Sequence, residues 1–170
     1  MFWKCWQLPK INKGKAWVKI MEIKVVPSSI ECEDAKMLIT ELNQVLTVIT
    51  GDDGTVNFHK EDVMGERSVF MIAYIDDIPY GCGALRPISE DTAEVKRIYA
   101  RENQHGIGHQ ILRTLETKAM EFGYHKLLLE TRVQNLHAIE FYQRNGYSHC
   151  EAFGKYVGKE NAYCFEKNFS

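Results

Sequence analysis

The sequence predicts an α+β protein (mixed α/β), with a single mixed, mostly antiparallel sheet and helices on both faces. Three observations predict it. A strand pattern followed by a helical one opens the body of the chain, two apolar β-type runs meet across a tight turn in its middle, and a strand–helix–strand sequence follows. The hairpin requires antiparallel pairing and the crossover requires parallel pairing, so one sheet must hold both.

From Met21, MEIKVV alternates as a first strand. EDAKMLITELNQVLTVI then sets Ala35, Leu38, Ile39, Leu42, Val45 and Leu46 at helical spacing. GDDGTVNFHKEDVMGE is polar with glycines near both ends, a loop with a short helical turn. SVFMIAYID and PYGCGALRPI, joined through Asp76-Asp77, form an antiparallel hairpin, and TAEVKRIYA supplies another strand. ENQHGIGHQIL leads into a helix whose stripe is Ile107, Ile111, Leu112, Leu115, Ala119 and Phe122, closed by Gly123. KLLLET is a short apolar strand, AIEFYQRNG a helix ended by Gly146, and YSHCEAF and NAYCFEKNF are closing strands.

The 170 residues fit one core, and no repeat or linker divides the span 21–170. Residues 1–20 mix Lys and Trp without the apolar centre of a signal peptide and read as an N-terminal appendage to that domain. In the competing reading they pack on the body, or Trp3, Trp6 and Trp17 anchor a partner protein. A formal charge of -2 supplies no broad basic field, which argues against nucleic acid as a partner. No apolar run approaches the roughly 18 residues that span a bilayer, so no membrane partner is expected. Five scattered cysteines with no C-x-x-C pair indicate a reducing compartment, the cytoplasm.

The centre of ENQHGIGHQIL places Gly106 and Gly108 at a strand-to-helix junction between His105 and His109. Backbone N–H groups at such a junction point outward, where the helix dipole favours an anion, so phosphate is the natural guest. A tight turn alone would use the same glycines. Position 111 is Ile, so the dinucleotide fingerprint fails, and the Gly-Lys-Ser/Thr of a Walker loop is absent. The histidines lack a third ligand in sequence, which leaves them as solvated helix-start residues and predicts no metal.

The run AEVKRIYARENQHGIGHQILRTLE, then LLLET, then NLHAIEFYQRNGY from Asn135 to Tyr147, resembles the GNAT superfamily of acyl-CoA-dependent N-acetyltransferases. The resemblance covers residues 21–167 and is specific over 92–147. It implies a GNAT-like fold, acetyl-CoA as co-substrate, no metal, and a small-molecule or peptide amine as acceptor attacked directly in a ternary complex. It leaves a homodimer open. In that family the loop before the long helix grips the coenzyme A pyrophosphate with backbone amides, and the preceding strand pairs with the pantetheine arm. Carried over, this implies coenzyme contacts at Ile98, Tyr99, Asn103, Gln104, His105, Gly106, Ile107, Gly108 and His109. The family loop runs Gln/Arg-x-x-Gly-x-Gly after a longer approach, whereas this one is one or two residues short. An acyl-CoA-binding module without turnover is therefore the competing reading.

An amine like that of Lys has a pKa near about 10.4, so attack at neutral pH needs a base. The resemblance implies Glu94 as that base, and alternation puts Glu94, Lys96 and Ile98 on one face. An ion pair with Lys96 or Arg97 is the structural alternative for Glu94. Tyr142 matches the tyrosine the family places beside the coenzyme sulfur, where a phenol can protonate a thiolate. Asn135 matches the residue that hydrogen-bonds pantetheine, and it also reads as a helix N-cap. A thioester exchange through Cys82 or Cys150 lacks a neighbouring His base in sequence. The acceptor pocket is expected around Thr50 to Glu66 and Phe153 to Asn161, with Asp52, Asp53, Glu61 and Asp62 as candidate charges.

Overall fold

The computed structural model describes residues 22–101 and 106–169. The expectations for residues 1–20, and for Asn103, Gln104 and His105, lie outside the described residues. Seven strands form one sheet in the order β1-β2-β3-β4-β5-β7-β6. Strand β1 (Ile23–Pro27) is followed by α1 (Glu33–Thr50), then β2 (Val69–Ile75), β3 (Ile78–Pro87) and β4 (Thr92–Ala100). Helix α2 (Ile107–Glu121) leads to β5 (Lys126–Arg132), and α3 (Leu136–Arg144) to β6 (Ser148–His149) and β7 (Ala162–Asn168). Every strand pair is antiparallel except β4 with β5, the two joined through α2.

The hairpin turn needs both central residues at positive φ, and Asp76 and Asp77 adopt 49° and 64°. That geometry matches the twist of the strands it joins. One core cluster packs Ile107, Ile111, Leu112 and Leu115 of α2, with Tyr142 of α3, on one face of the sheet. On the other face Ala35 and Leu38 of α1 meet Phe70, Ile72, Cys82 and Ala84. Helices therefore cover both faces, as the patterning predicts.

Two local expectations are corrected. Gly83 on β3 faces both Arg97 and Ile98 on β4, because Ala84 pairs with Lys96 while Cys82 pairs with Tyr99. This bulge, with Arg97 at φ 57°, inverts the alternation. Lys96 and Tyr99 share the α1 face, and Ile98 turns to α2, so Ile98 does not share a face with Glu94 and Lys96. YSHCEAF yields only the two-residue β6, since it has one neighbour, β7; a short 3-10 turn at Gly154–Tyr156 follows.

Gly83 also sets how closely α2 approaches the sheet. A Cβ there would lie 2.7 Å from Ile111 Cγ2 and from Ile98 Cδ1. Both atoms belong to side chains packed against one another, so Gly83→Ala should cost about 1 to 3 kcal/mol in chemical denaturation. An unchanged midpoint would show that α2 rides more loosely than this packing requires.

Candidate active site

The site begins where the sheet splits. Strands β4 and β5 pair only from Thr92–Glu94 to Lys126–Leu128. Beyond Glu94 they part, leaving the β5-facing edge of β4 from Val95 to Ala100 without a strand partner among the described residues. A cavity of about 470 Å³ fills the gap. Gly108, Asn135, Ala138, Phe141 and Tyr142 wall it on the α2–α3 side, and Leu42, Val45, Leu46 and Ile49 wall it on the α1 side. The cavity thus crosses the sheet from one face to the other.

Helix α2 starts at one end of this gap. Gly106 takes φ 69° as its N-cap, and a Cβ there would have open space around it. The first N–H groups of α2, those of Ile107, Gly108 and His109, have no acceptor within the helix. The Ile107 side chain is in the core, so only its backbone can meet a ligand. A Cβ on Gly108 would sit 3.5 Å from the Phe141 ring, an ordinary contact. His109 is exposed and its Nδ1 bonds the Asn145 side-chain oxygen. Among the described residues no group of His, Cys, Asp or Glu could hold a metal.

Among the described residues these features fit coenzyme A: a strand edge without a partner for an amide-bearing arm, and a helix N-terminus for phosphate. Ile98 and Tyr99 line the cavity, and the Tyr99 hydroxyl donates to Glu41 at 3.2 Å. The Asn135 side chain accepts from the Ala138 N–H at 3.2 Å as an N-cap, and it too lines the cavity.

Tyr142 reaches the same space. Its ring packs edge-on to Phe141 and Tyr147 at 5.2 and 5.8 Å. Among the described residues its hydroxyl has no hydrogen-bond partner. Burial first, and the charge of Glu130 second, push its pKa well above the usual tyrosine range, so at neutral pH it holds its proton and can give one.

Glu94 is placed differently from the sequence expectation. It is 1% exposed and does not line the cavity. Arg86 grips one carboxylate oxygen through Nε and Nη2 at 2.8 and 2.6 Å. The other oxygen accepts from Tyr156 at 3.1 Å and lies 3.3 Å from Lys96 Nζ. Both oxygens are occupied, so Glu94 is not poised to receive a substrate proton. Lys96, which does line the cavity, donates to the Tyr156 hydroxyl at 2.6 Å; burial lowers its pKa, with the charge of Glu94 opposing.

Glu130 on β5 is the carboxylate at the junction, and sequence reading missed it. Its side chain is 8% exposed and lies 3.1 Å from Arg132, which also reaches Asp52 at 3.0 Å. Burial raises its pKa, while Arg132 and then Lys96 pull it back. The signal was a lone carboxylate directly after the apolar run of Leu127, Leu128 and Leu129 in KLLLET. Tyr156 had no signal: a tyrosine after a loop does not announce a partner 62 positions away.

A sheet parted between two parallel strands, with a helix N-terminus at the gap, is an arrangement suited to a phosphate-bearing extended ligand. The acetyltransferase (GNAT) family profile matches residues 37–147, and the chain belongs to that family. It is 27% identical over 129 residues, covering 74% of this chain and 85% of the relative, to the uncharacterized N-acetyltransferase YsnE of Bacillus subtilis. Solved structures share the fold. One assigned as an acyl-CoA N-acyltransferase from Klebsiella pneumoniae aligns with TM-score 0.72 at 23% identity, over 86% of this chain and 97% of that one. A GNAT family acetyltransferase from Elizabethkingia anophelis, solved with acetyl-CoA bound, aligns with TM-score 0.65 at 17% identity, over 86% and 98%.

Proposed function

We propose that the protein is an acetyl-CoA-dependent N-acetyltransferase that acetylates a primary amine of a small molecule or peptide by direct attack in a ternary complex. The observation that carries this reading is the cavity that crosses the sheet, with donor walls on α2 and α3 and acceptor walls on α1. Acetyl-CoA, when bound, supplies a thioester whose C–S bond breaks as the amide C–N bond forms. Glu130 takes the proton that the attacking amine must lose. Burial raises its pKa above the ordinary glutamate value, and a stronger base than a surface carboxylate suits this step. Tyr142 gives its proton to the leaving sulfur. Glu94 holds Lys96 and Tyr156 in place.

Direct attack fits the cysteines as well. Neither Cys82 nor Cys150 lines the cavity. Burial pushes their thiols up to about 12 and about 11, too high for a nucleophilic thiolate at neutral pH. The four described cysteines are free thiols. No helix among the described residues is long and apolar enough to cross a membrane.

Titration calorimetry with acetyl-CoA tests the coenzyme seat. The wild type should bind, and Gly106→Glu, which forces a carboxylate beside the helix N-terminus at φ 69°, should lose at least about tenfold in affinity through charge repulsion. Equal binding by both would move the phosphates elsewhere. Tyr142→Phe should lower kcat about a hundredfold, the low end for acid–base catalysis, since a thiol of pKa about 8.5 leaves tolerably without help. Acetyl-CoA affinity should not change. An unaltered kcat would strip Tyr142 of its role.

A further inference from the structure

We infer that the acceptor is a free amino acid with an apolar side chain: an amine whose molecule also carries a carboxylate, received by Arg97, and an aliphatic or aromatic group, received by α1. The inference rests on the acetyl-transfer reading above and names the substrate class of that site.

Charge is the first argument. The cavity is lined by four cations, Lys96, Arg97, Arg101 and Arg132, against two carboxylates, Asp52 and Glu130. Lys96 pairs with Glu94, Arg101 with Glu41 at 2.7 Å, and Arg132 with both Asp52 and Glu130. Among the described residues Arg97 forms no ion pair. Its Nη1 donates to the Asn43 side chain at 2.9 Å and the Asp53 carbonyl at 3.3 Å, and its Nη2 to the Gly54 carbonyl at 2.9 Å. All three acceptors are neutral. Burial is the largest influence on Arg97 and lowers its pKa, while the more distant charges of Asp53 and Asp52 act against it without an ion-pair contact. A bound carboxylate would supply that contact.

Position is the second argument. Arg97 stands at the bulge of β4, and its partners belong to α1 and the loop after it, so its charge lies on the acceptor side, away from the α2 N-terminus. There the α1 wall is aliphatic. Val45 and Ile49 remain 42% and 40% exposed, apolar surface that an apolar substituent would cover. A polyamine or aminoglycoside would need carboxylates for its further ammonium groups, yet both cavity carboxylates are already paired with Arg132. A peptide N-terminus lacks the neighbouring carboxylate.

Coenzyme A release should be followed with leucine, leucinamide, isopentylamine and spermidine as acceptors. Leucine should exceed leucinamide in kcat/KM by about tenfold or more, the worth of a hydrogen bond to a charged group, and spermidine should be poorest. Arg97→Gln should collapse the leucine-to-leucinamide ratio towards one, and Ile49→Asp should raise KM for leucine. A ratio that survives Arg97→Gln, because both acceptors fall in proportion, would reduce Arg97 to a loop anchor and overturn the assignment. So would leucinamide or spermidine matching leucine, and in that case acetyl transfer itself stands. If none turns over, calorimetry on the coenzyme A complex decides: leucine binding alone keeps the acceptor site and removes acetyl transfer, while no amine binding removes both.

Discussion

Glu130→Gln should lower kcat/KM at neutral pH by about a thousandfold, more than any other single substitution in the cavity. The size follows from the substrate. An alkylammonium with a pKa near about 10.4 is nearly all protonated at pH 7, and without an acceptor for its proton the attacking lone pair is scarce. The wild-type kcat/KM profile should rise through the pKa of Glu130 and then level. Burial shifts that limb above the ordinary glutamate range, with Arg132 and Lys96 limiting the shift. The variant should lose the limb and instead gain rate steadily as rising pH deprotonates the amine itself. Stability should move the other way. A carboxylate with a raised folded-state pKa favours folding below its unfolded pKa and loses that advantage as pH rises through the folded value. The ionised Glu130 therefore costs stability at neutral pH, and Gln removes the cost while Arg132 keeps Asp52. A fall in activity accompanied by unfolding would discredit Glu130 as the base, as would a profile that keeps its acid limb.

Local patterning in the sequence carries much of this fold, because helix stripes and hairpin turns are set by neighbours in the chain. Asp76-Asp77 foretold its turn, and Ile107 to Ala119 foretold the face that α2 buries. The bulge at Arg97 was illegible, since it arises from register against Gly83 on another strand. That one residue decides which side chains meet at the site: it parts Ile98 from Lys96 and puts Arg97 over the acceptor loop. The network around Glu94 was half legible. Lys96 was visible two positions away on the same strand, whereas Arg86, Asp62 and Tyr156 arrive from elements whose approach no local pattern encodes.

The same network sets the largest expected loss of stability. Glu94→Gln leaves Arg86 and Lys96, 18% and 9% exposed, without their shared counter-ion. Removing one partner of a buried pair typically costs about 3 to 5 kcal/mol, because the remaining charge is stranded. Here the low end applies: Arg86 keeps Asp62 at 2.9 Å and Lys96 keeps the Tyr156 hydroxyl. About 3 kcal/mol corresponds to a fall in Tm of roughly 6 to 12 °C in a chain of this size. The deficit should shrink with pH. Burial already lowers the Lys96 pKa, and the charge of Glu94 is the first influence opposing it. Without Glu94, Lys96 releases its proton more readily in the folded state than in the unfolded chain, so stability is regained as pH rises through the lowered folded-state pKa of Lys96 towards the ordinary lysine value. Kinetics separate this role from that of Glu130: Glu94→Gln, assayed well below its Tm, should keep the acid limb that Glu130→Gln abolishes. If Glu94→Gln instead leaves Tm intact and erases the limb, Glu94 is the base and the cavity opens to it in the working enzyme.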